Sequence, residues 1–279
     1  EVGVSVETVH RFMRGQSVRS SGALALALEP YYSLENESLP ALPQRRKVIQ
    51  IPERMDGDLA QFVGYMVGDG HISRTKRVLG LTTGDTEQAN EFRRLAESLF
   101  NVQARMKWDN GRWRVNIHSE TLADFLEYGL GMPVGICARR KHIPEQILRS
   151  PRAVVRAFLR AYFDCDGYAG KQGVILSTTS DSLAEEVQLL LLNFRILSRK
   201  RKQKDGCWHV HVQGWSAALF HDLIGFGLHR KLDALGKYVF DRKWFKREDW
   251  NDEVVSIEHG RAGREEAFEM AEIALGTII

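Results

Sequence analysis

The chain has 279 residues, 43% of them hydrophobic and 27% charged, a balance typical of soluble globular proteins with two units or one large unit with additions. No apolar run reaches the ~18 residues of a membrane helix, and three cysteines without paired spacing exclude a disulfide framework and a Cys/His metal site, so we expect a cytoplasmic protein without a signal peptide. The net charge of +3 does not by itself indicate nucleic acid, but basic clusters such as residues 195–204 (RILSRKRKQK) favour phosphate binding over a solvated surface.

The first 57 residues precede the main body of the predicted fold. Within residues 1–30, the segment 4–15 resembles the turn and recognition helix of a helix-turn-helix module, and a short packed helix is the alternative interpretation. The prolines of residues 31–57 predict a linker.

A regular series of elements follows the linker. Asp58 is the predicted N-cap of a helix that ends at Gly70, and Asp85 is the predicted N-cap of a second helix. Asn110-Gly111 between two alternating runs is a strong hairpin signal. The predicted elements are, in order, a helix over 59–67, a hairpin that turns at 73–77, a helix after residue 85, strands at 102–108 and 113–118, and a helix over 120–128.

The whole series then repeats, which indicates a duplicated domain. Residues 62–70 (FVGYMVGDG) reappear 97 positions later as 159–167 (LRAYFDCDG), and residues 81–85 reappear 96 positions later as 177–181. We predict an α+β fold of two αββαββα halves, residues 58–150 and 151–250. Each half has a four-stranded antiparallel sheet with helices on one face.

The two helices that end in these repeats (the motif helices) carry small residues four apart: Gly64 and Gly68 in the first, Ala161 and Cys165 in the second. Residues i and i+4 share a helix face, so we expect the motif helices to pack closely and to bring Asp69 and Asp166 together. Adjacent carboxylates at helix C-termini repel each other and oppose the helix dipoles. This placement suits a Mg²⁺ site, and the alternative is that each Asp-Gly merely ends its helix.

The paired nonapeptides resemble the LAGLIDADG motifs of single-chain homing endonucleases, over residues 55–245. The resemblance implies a monomeric, pseudo-twofold saddle of two sheets over double-stranded DNA in a microbial cell, with the motif helices at its centre. It implies that Asp69 and Asp166 bind Mg²⁺ or Mn²⁺ (Ca²⁺ as a non-catalytic substitute) and cut both strands. Gly68 and Cys165 would complete the metal site, whereas Asp164 would be a core or interface residue.

Other family positions transfer less directly. Many members have Gln or Lys after the first hairpin, where this chain has Thr83-Gly84 and Thr179-Ser180, which puts that role in doubt. Lys141 and Lys231, after the last helix of each half, are candidates for a basic residue that assists catalysis. Phosphate anchoring is the alternative role for both lysines.

The strands would contact the DNA. Alternate strand residues share a face, Arg and Asn/Gln have bidentate geometry for base edges, and Lys-rich turns add phosphate contacts. The expected DNA-binding residues are Arg74, Lys76, Arg77, Arg105, Lys107, Arg112, Arg114, Asn116 and His118 in the first half, and Lys171, Gln172, Arg199, Arg201, Lys202, Lys204, His209, His211 and Gln213 in the second. Trp108, Trp113 and Trp208 are expected in the sheet cores rather than as base-stacking platforms.

Residues 251–279 resemble the C-terminal splicing blocks of inteins, without the terminal His-Asn that splicing needs. This resemblance implies the endonuclease region of an intein rather than a chain that splices itself. We therefore predict a site-specific endonuclease that hydrolyses both strands of a long asymmetric DNA target. A non-catalytic DNA-binding regulator on the same scaffold and an RNA maturase are the alternatives.

Overall fold

The structure is a computed structural model that describes residues 8, 11, 49–135 and 138–240. The predicted helix-turn-helix fragment, except for the helical Thr8 and Arg11, and the intein-like residues 251–279 lie outside the described residues. The described residues 49–135 and 138–240 belong to one compact unit. Within the described ranges, no helix is long and apolar enough to cross a membrane.

The first half has the predicted order αββαββα. Its elements are α1 (Gly57–Gly68), β1 (Gly70–Ile72), β2 (Val78–Thr83), α2 (Thr86–Phe100), β3 (Ala104–Asp109), β4 (Arg112–His118) and α3 (Glu120–Asp124), which continues as a π-helix over Phe125–Gly129. The strands form an antiparallel sheet of order β1-β2-β4-β3. Asn110 and Gly111 join β3 to β4 with positive φ angles of 50° and 74°, as an Asn-Gly hairpin requires.

The start of α1 differs from the prediction. The N-cap is Asp56, whose Oδ1 accepts the N–H of Leu59 at 2.8 Å, and the predicted Asp58 lies in the first helical turn instead. There its negative charge favours the helix dipole without capping a backbone amide. Ile49, Ile51 and Met55, inside the predicted linker, pack against the hydrophobic core.

The second half repeats the first after a short connection. That connection contains a 3₁₀ turn (Ala138–Arg140) and α4 (Glu145–Leu148), and the repeated elements are α5 (Arg152–Asp166), β5 (Gly167–Gly170), β6 (Gly173–Thr178), α6 (Asp181–Leu192), β7 (Arg199–Lys202), β8 (Trp208–Val212) and α7 (Trp215–Leu223), followed by α8 (His229–Phe240). Its sheet has the equivalent order β5-β6-β8-β7. The prediction of two αββαββα halves with four-stranded antiparallel sheets is confirmed.

The strand register corrects the alignment of the two copies by one residue. Thr83 pairs with Trp113 in the first sheet, and Thr178 pairs with Trp208 in the second, so these threonines are equivalent at an offset of 95. The match of residues 81–85 to residues 177–181 in the sequence instead predicts Thr179 as the equivalent of Thr83, at an offset of 96. The loop before β6 is one residue shorter than that match suggests.

Each sheet buries one face against the helices. Leu81, Val115 and Ile117 in the first sheet and Leu176 and Val210 in the second are fully buried, and the residues between them face away from the core. The tryptophans lie on the helix side at the strand ends, where Trp108 packs edge-on against Trp113 with ring centroids 4.9 Å apart. The expectation of a core position is wrong for Trp108, which is 51% exposed because the sheet ends there.

The motif helices α1 and α5 pack at close range through their small residues. A Cβ atom on Gly64 would lie 2.5 Å from the Phe158 carbonyl oxygen and 2.8 Å from Ala161 Cβ, and a Cβ atom on Gly68 would lie 2.6 Å from Cys165 Sγ. The small residues four apart therefore do what their spacing predicts, since they let two helix backbones approach each other.

We predict that Gly64→Ala lowers the free energy of unfolding by about 1–3 kcal/mol, because the added methyl group meets backbone atoms that cannot move independently. Urea unfolding followed by circular dichroism measures this loss. Gly84→Ala is the matched control, since a Cβ atom there meets nothing within 4 Å and stability should be unchanged. Equal stability of the two variants would contradict the close packing.

Candidate active site at the ends of the motif helices

Asp69 and Asp166 lie together where the motif helices end. Asp69 is the C-cap of α1, its N–H bonded to the Tyr65 carbonyl oxygen at 3.1 Å, and Asp166 is the last residue of α5. Burial and the charge of the nearby Asp69 raise the pKa of Asp166 to about 6. Burial likewise raises the pKa of Asp69. The two carboxylates are thus close enough to repel each other, as the sequence predicts.

A buried amide supports Asp69 on the side of α2. Gln88 is 1% exposed, and its Nε2 lies 3.3 Å from Asp69 Oδ2 and 3.0 Å from Cys165 Sγ. Its Oε1 accepts a hydrogen bond of 2.6 Å from the Thr83 hydroxyl. Gln88 is not among the predicted site residues, although it stands four residues before Phe92 on the apolar face of α2, where a polar residue is unusual.

Both candidate lysines bind the carbonyl groups that end the motif helices. Lys231 is 7% exposed, and its Nζ donates to the carbonyl oxygens of Asp164 at 2.6 Å and Phe163 at 3.2 Å. Lys141 Nζ donates to the Gly68 carbonyl oxygen. A cation at a helix C-terminus is stabilised by the helix dipole, while burial lowers the pKa of Lys231. Their predicted assistance to catalysis stays a prediction.

The residues fit a divalent cation only in part. Two carboxylates that repel each other are suitable ligands for Mg²⁺. The Gly68 carbonyl already accepts from Lys141, and the Cys165 carbonyl lies 3.4 Å from Lys231 Nζ, so neither predicted metal contact is free of a competing ammonium group. Among the described residues, no group of three or more His, Cys, Asp and Glu side chains is arranged to hold a metal. A cation here would need water or substrate oxygens as further ligands.

Asp164 is a buried residue, as expected. It is 2% exposed, and its carboxylate accepts the backbone N–H groups of Gly227 at 2.9 Å and Leu228 at 3.1 Å, just before α8. Burial raises the pKa of Asp164 to about 6, against the opposing charges of Lys231 and Arg160.

Most of the predicted DNA-binding residues lie on the sheet faces that point away from the core. The strand register puts Arg105, Lys107, Arg112, Arg114, Asn116 and His118 on this outer face of the first sheet, and Arg199, Arg201, His209 and His211 on that of the second. Side chains in or beside the exposed turns add Arg74, Lys76, Lys171, Gln172, Lys204 and Gln213. The outer faces are therefore rich in cationic and hydrogen-bonding groups.

Two of the predicted residues point elsewhere. Lys202 pairs with Trp208, on the helix side of the second sheet, and its Nζ lies 5.3 Å from the centre of that ring. Arg77 forms ion pairs with Asp124 and Glu127, so its charge is neutralised within the protein. Contact of these two side chains with DNA stays a prediction that their positions do not support. Alternation along the strand removes Lys202 from the outer face, and the nearby acids engage Arg77.

We predict that Asp164→Asn stabilises the metal-free protein by up to about 3 kcal/mol at pH 7.5 and has little effect near pH 4. The pKa of Asp164 is raised from 3.8 to about 6 in the folded protein. The contribution of Asp164 to the free energy of unfolding is therefore complete at a pH below 3.8, its pKa in the unfolded chain, and is lost as the pH rises through about 6. Urea unfolding in EDTA at both pH values measures the difference. The exposed Asp233→Asn is the control, and an equal effect of Asp164→Asn at both pH values would contradict the assignment.

The comparisons with known proteins agree with this architecture. A family model described as a LAGLIDADG-like domain matches residues 56–128 and 153–225, which together are more than half of the chain. A structure of mesophilic variants from the homing endonuclease I-DmoI has a similar fold, with a TM-score of 0.51 and 16% identity over 66% of this chain and 99% of that one.

Two curated relatives are larger proteins, both from Methanocaldococcus jannaschii. The replication factor C small subunit is 33% identical over 210 residues, which are 72% of this chain and 11% of that protein. The isomerizing glutamine–fructose-6-phosphate aminotransferase is 28% identical over 197 residues, 67% of this chain and 18% of that protein. This chain thus spans a small fraction of the relatives that it matches. Since the family model covers both motif helices and both sheets, the chain belongs to the family of LAGLIDADG-like domains.

Proposed function

We propose that this chain is a site-specific, divalent-metal-dependent endonuclease that cuts both strands of double-stranded DNA. The observation that carries the proposal is the pair Asp69 and Asp166, held together at the buried ends of the motif helices while both sheets present basic outer faces. The name of the structural relative I-DmoI as a homing endonuclease is consistent with this function. Because both halves belong to one chain, we propose that the protein acts as a monomer.

Asp69 and Asp166 would hold the cation, Mg²⁺ or Mn²⁺ for cleavage and Ca²⁺ as a non-catalytic substitute. A bound divalent cation supplies activation of water and stabilisation of the leaving oxygen of a phosphodiester. The protein's own part is to keep two carboxylates adjacent and partly buried, so that positive charge is attracted to the point where the two halves meet. Lys141 and Lys231 brace the helix ends that carry the carboxylates.

The outer faces of the sheets would contact the DNA. Arg side chains can bind guanine edges in bidentate fashion, and Asn116 has the amide geometry that suits adenine. Exposed Lys and Arg residues in the turns would add phosphate contacts, which make the affinity depend on salt. Arg114 also forms an exposed ion pair with Asp109, with 3.1 Å between Nη1 and Oδ2, which DNA phosphates would have to compete with.

The two halves would recognise different base pairs. One row of outer-face residues crosses each sheet, beginning two residues after the acidic residue of that half. The paired rows are His71, Gly80, Asn116 and Arg105 in the first half, and Tyr168, Ile175, His211 and Arg199 in the second. The first row is polar around a glycine, whereas the second contains an aromatic and an aliphatic side chain. This difference supports an asymmetric target.

The relatives support an origin as an inserted module. More than half of this chain matches segments of a replication factor and of an aminotransferase, and those matches are 11% and 18% of the two proteins. Two proteins with such different names share a segment most simply when that segment is an insertion. We therefore propose that the chain is the endonuclease region of an intein, as the resemblance of residues 251–279 also implies.

The function is tested with the double variant Asp69→Asn with Asp166→Asn. We expect wild-type protein with Mg²⁺ to cut both strands of a duplex selected from a randomised library, and the double variant to cut at least ~10³-fold more slowly while it still binds. Gel analysis of products and a mobility-shift assay measure the two properties. Unchanged cleavage by the double variant would refute the assignment. Binding without cleavage by the wild type would favour the regulator, and a preference for RNA would favour the maturase.

The DNA-binding face is tested with neighbouring residues of β7 that point in opposite directions. Arg201→Ala should weaken binding on the order of tenfold and reduce the slope of log affinity against log salt by about one, because Arg201 lies on the outer face. Lys202→Ala, on the helix side, is the matched control and should bind as the wild type does. Fluorescence anisotropy over a salt series measures both quantities. Equal losses in the two variants would mean that the outer face does not bind the DNA.

A further inference from the structure

The orientation of the Gln88 amide is set by its neighbours. The Thr83 hydroxyl oxygen accepts the N–H of Asp85 at 3.1 Å, so the Thr83 hydroxyl proton is directed to Gln88 Oε1 at 2.6 Å. With Oε1 engaged in this way, Nε2 and its two protons point towards Asp69 Oδ2 and Cys165 Sγ. Gln88 is buried, so these neighbours rather than solvent satisfy its amide.

The second half has the same hydrogen bond between a threonine hydroxyl and a helix N-cap, but it lacks the glutamine amide. Thr178, the equivalent of Thr83, accepts the N–H of Ser180 at 3.2 Å, just as Thr83 accepts the N–H of Asp85. Asp85 and Ser180 are the N-caps of α2 and α6. The third residue after each N-cap is Gln88 in the first half and Leu183 in the second.

The consequence of this substitution is chemical. Leu183 is fully buried, like Gln88, but its side chain can donate no hydrogen bond. Asp166 instead has the hydroxyl of the buried Tyr162 nearby, whose pKa is raised by burial and by the Asp166 charge. The two acidic residues therefore differ in what holds them, although the backbones around them are equivalent.

We propose that Gln88 is a positioning residue for the Asp69 carboxylate and that its absence from the second half makes the two strands of the target unequal in cleavage. The inference rests on the proposed endonuclease function. Gln88 fixes one oxygen of Asp69, so the carboxylate is oriented before the cation and the DNA arrive. Asp166 has no equivalent amide beside it, because Leu183 stands at that position. Loss of Gln88 should then slow only the strand that depends on Asp69.

The experiment compares Gln88→Met, which keeps the volume and removes the amide, with Leu183→Met, a matched change at the equivalent buried position. The probe is a duplex selected by the wild-type protein from a randomised library and labelled with a different dye on each strand. The strand that Asp69→Asn slows more is the strand assigned to Asp69, and equal slowing of both strands by Asp69→Asn would overturn the inference. We expect Gln88→Met to slow this strand ~10–100-fold and the other strand little, so that nicked DNA accumulates, while Leu183→Met keeps the wild-type ratio.

A second measurement is independent of cleavage. In metal-free protein labelled with ¹⁵N in glutamine side chains, the resonance that Gln88→Met removes identifies the Gln88 amide. We expect that resonance to shift in Asp69→Asn and to stay in place in Asp166→Asn. A purely structural role for Gln88 would lower stability and slow both strands alike.

The inference and the proposed function fail in different ways. If the wild-type protein cuts neither strand, the proposed function is wrong, and the NMR experiment alone decides whether Gln88 orients Asp69. If the wild type cuts both strands and Gln88→Met slows them equally, the inference is overturned while the function stands. A Gln88 amide resonance whose chemical shift is unchanged in Asp69→Asn would overturn the inference as well.

Discussion

The close contact between the two motif helices is the constraint on which the rest of the molecule depends. Gly64 and Gly68 let the backbone of α1 approach Ala161 and Cys165 on α5 until a single methyl group would collide. Because both helices end at the same level, this approach brings Asp69 and Asp166 into mutual repulsion, which burial strengthens. The packing that stabilises the junction of the halves therefore also creates the repulsion between the two carboxylates.

Two segments that join the halves oppose the repulsion between these carboxylates. Lys141 binds the end of its own motif helix through the Gly68 carbonyl, while its own carbonyl accepts from Ser180 of the other half at 2.7 Å. In the second half Lys231 binds the end of α5, and the neighbouring Arg230 binds Asp85 of the first half at 2.6 Å. Each of these two segments, one at Lys141 and one at Arg230-Lys231, thus connects one motif helix to the second helix of the opposite half. Both lysines thus brace the ends of the motif helices.

The sequence predicted what depends on local signals and on repetition. The hairpin at Asn110-Gly111 follows from backbone preference, and the adjacency of the acids follows from small residues repeated at helical spacing. Neither the role of Gln88 nor the sheet face of Lys202 follows from such signals. The partners of Gln88 lie on other elements, and the face of Lys202 depends on strand register, which a run of basic residues does not reveal.

Duplication within one chain separates two requirements that a symmetric dimer would have to meet with one sequence. At the helix contact both halves must stay small, because Gly68 faces Cys165 and no larger pair would fit. On the outer faces nothing imposes such a match, and the equivalent positions hold Gly80 and Ile175. The candidate site differs between the halves in the same way, since Gln88 in the first half is equivalent to Leu183 in the second. Under the proposed function, the halves therefore differ chemically beside the acids as well as on the sheets. Gln88 reaches Cys165 at the edge of the helix contact, whereas Leu183 can donate no hydrogen bond.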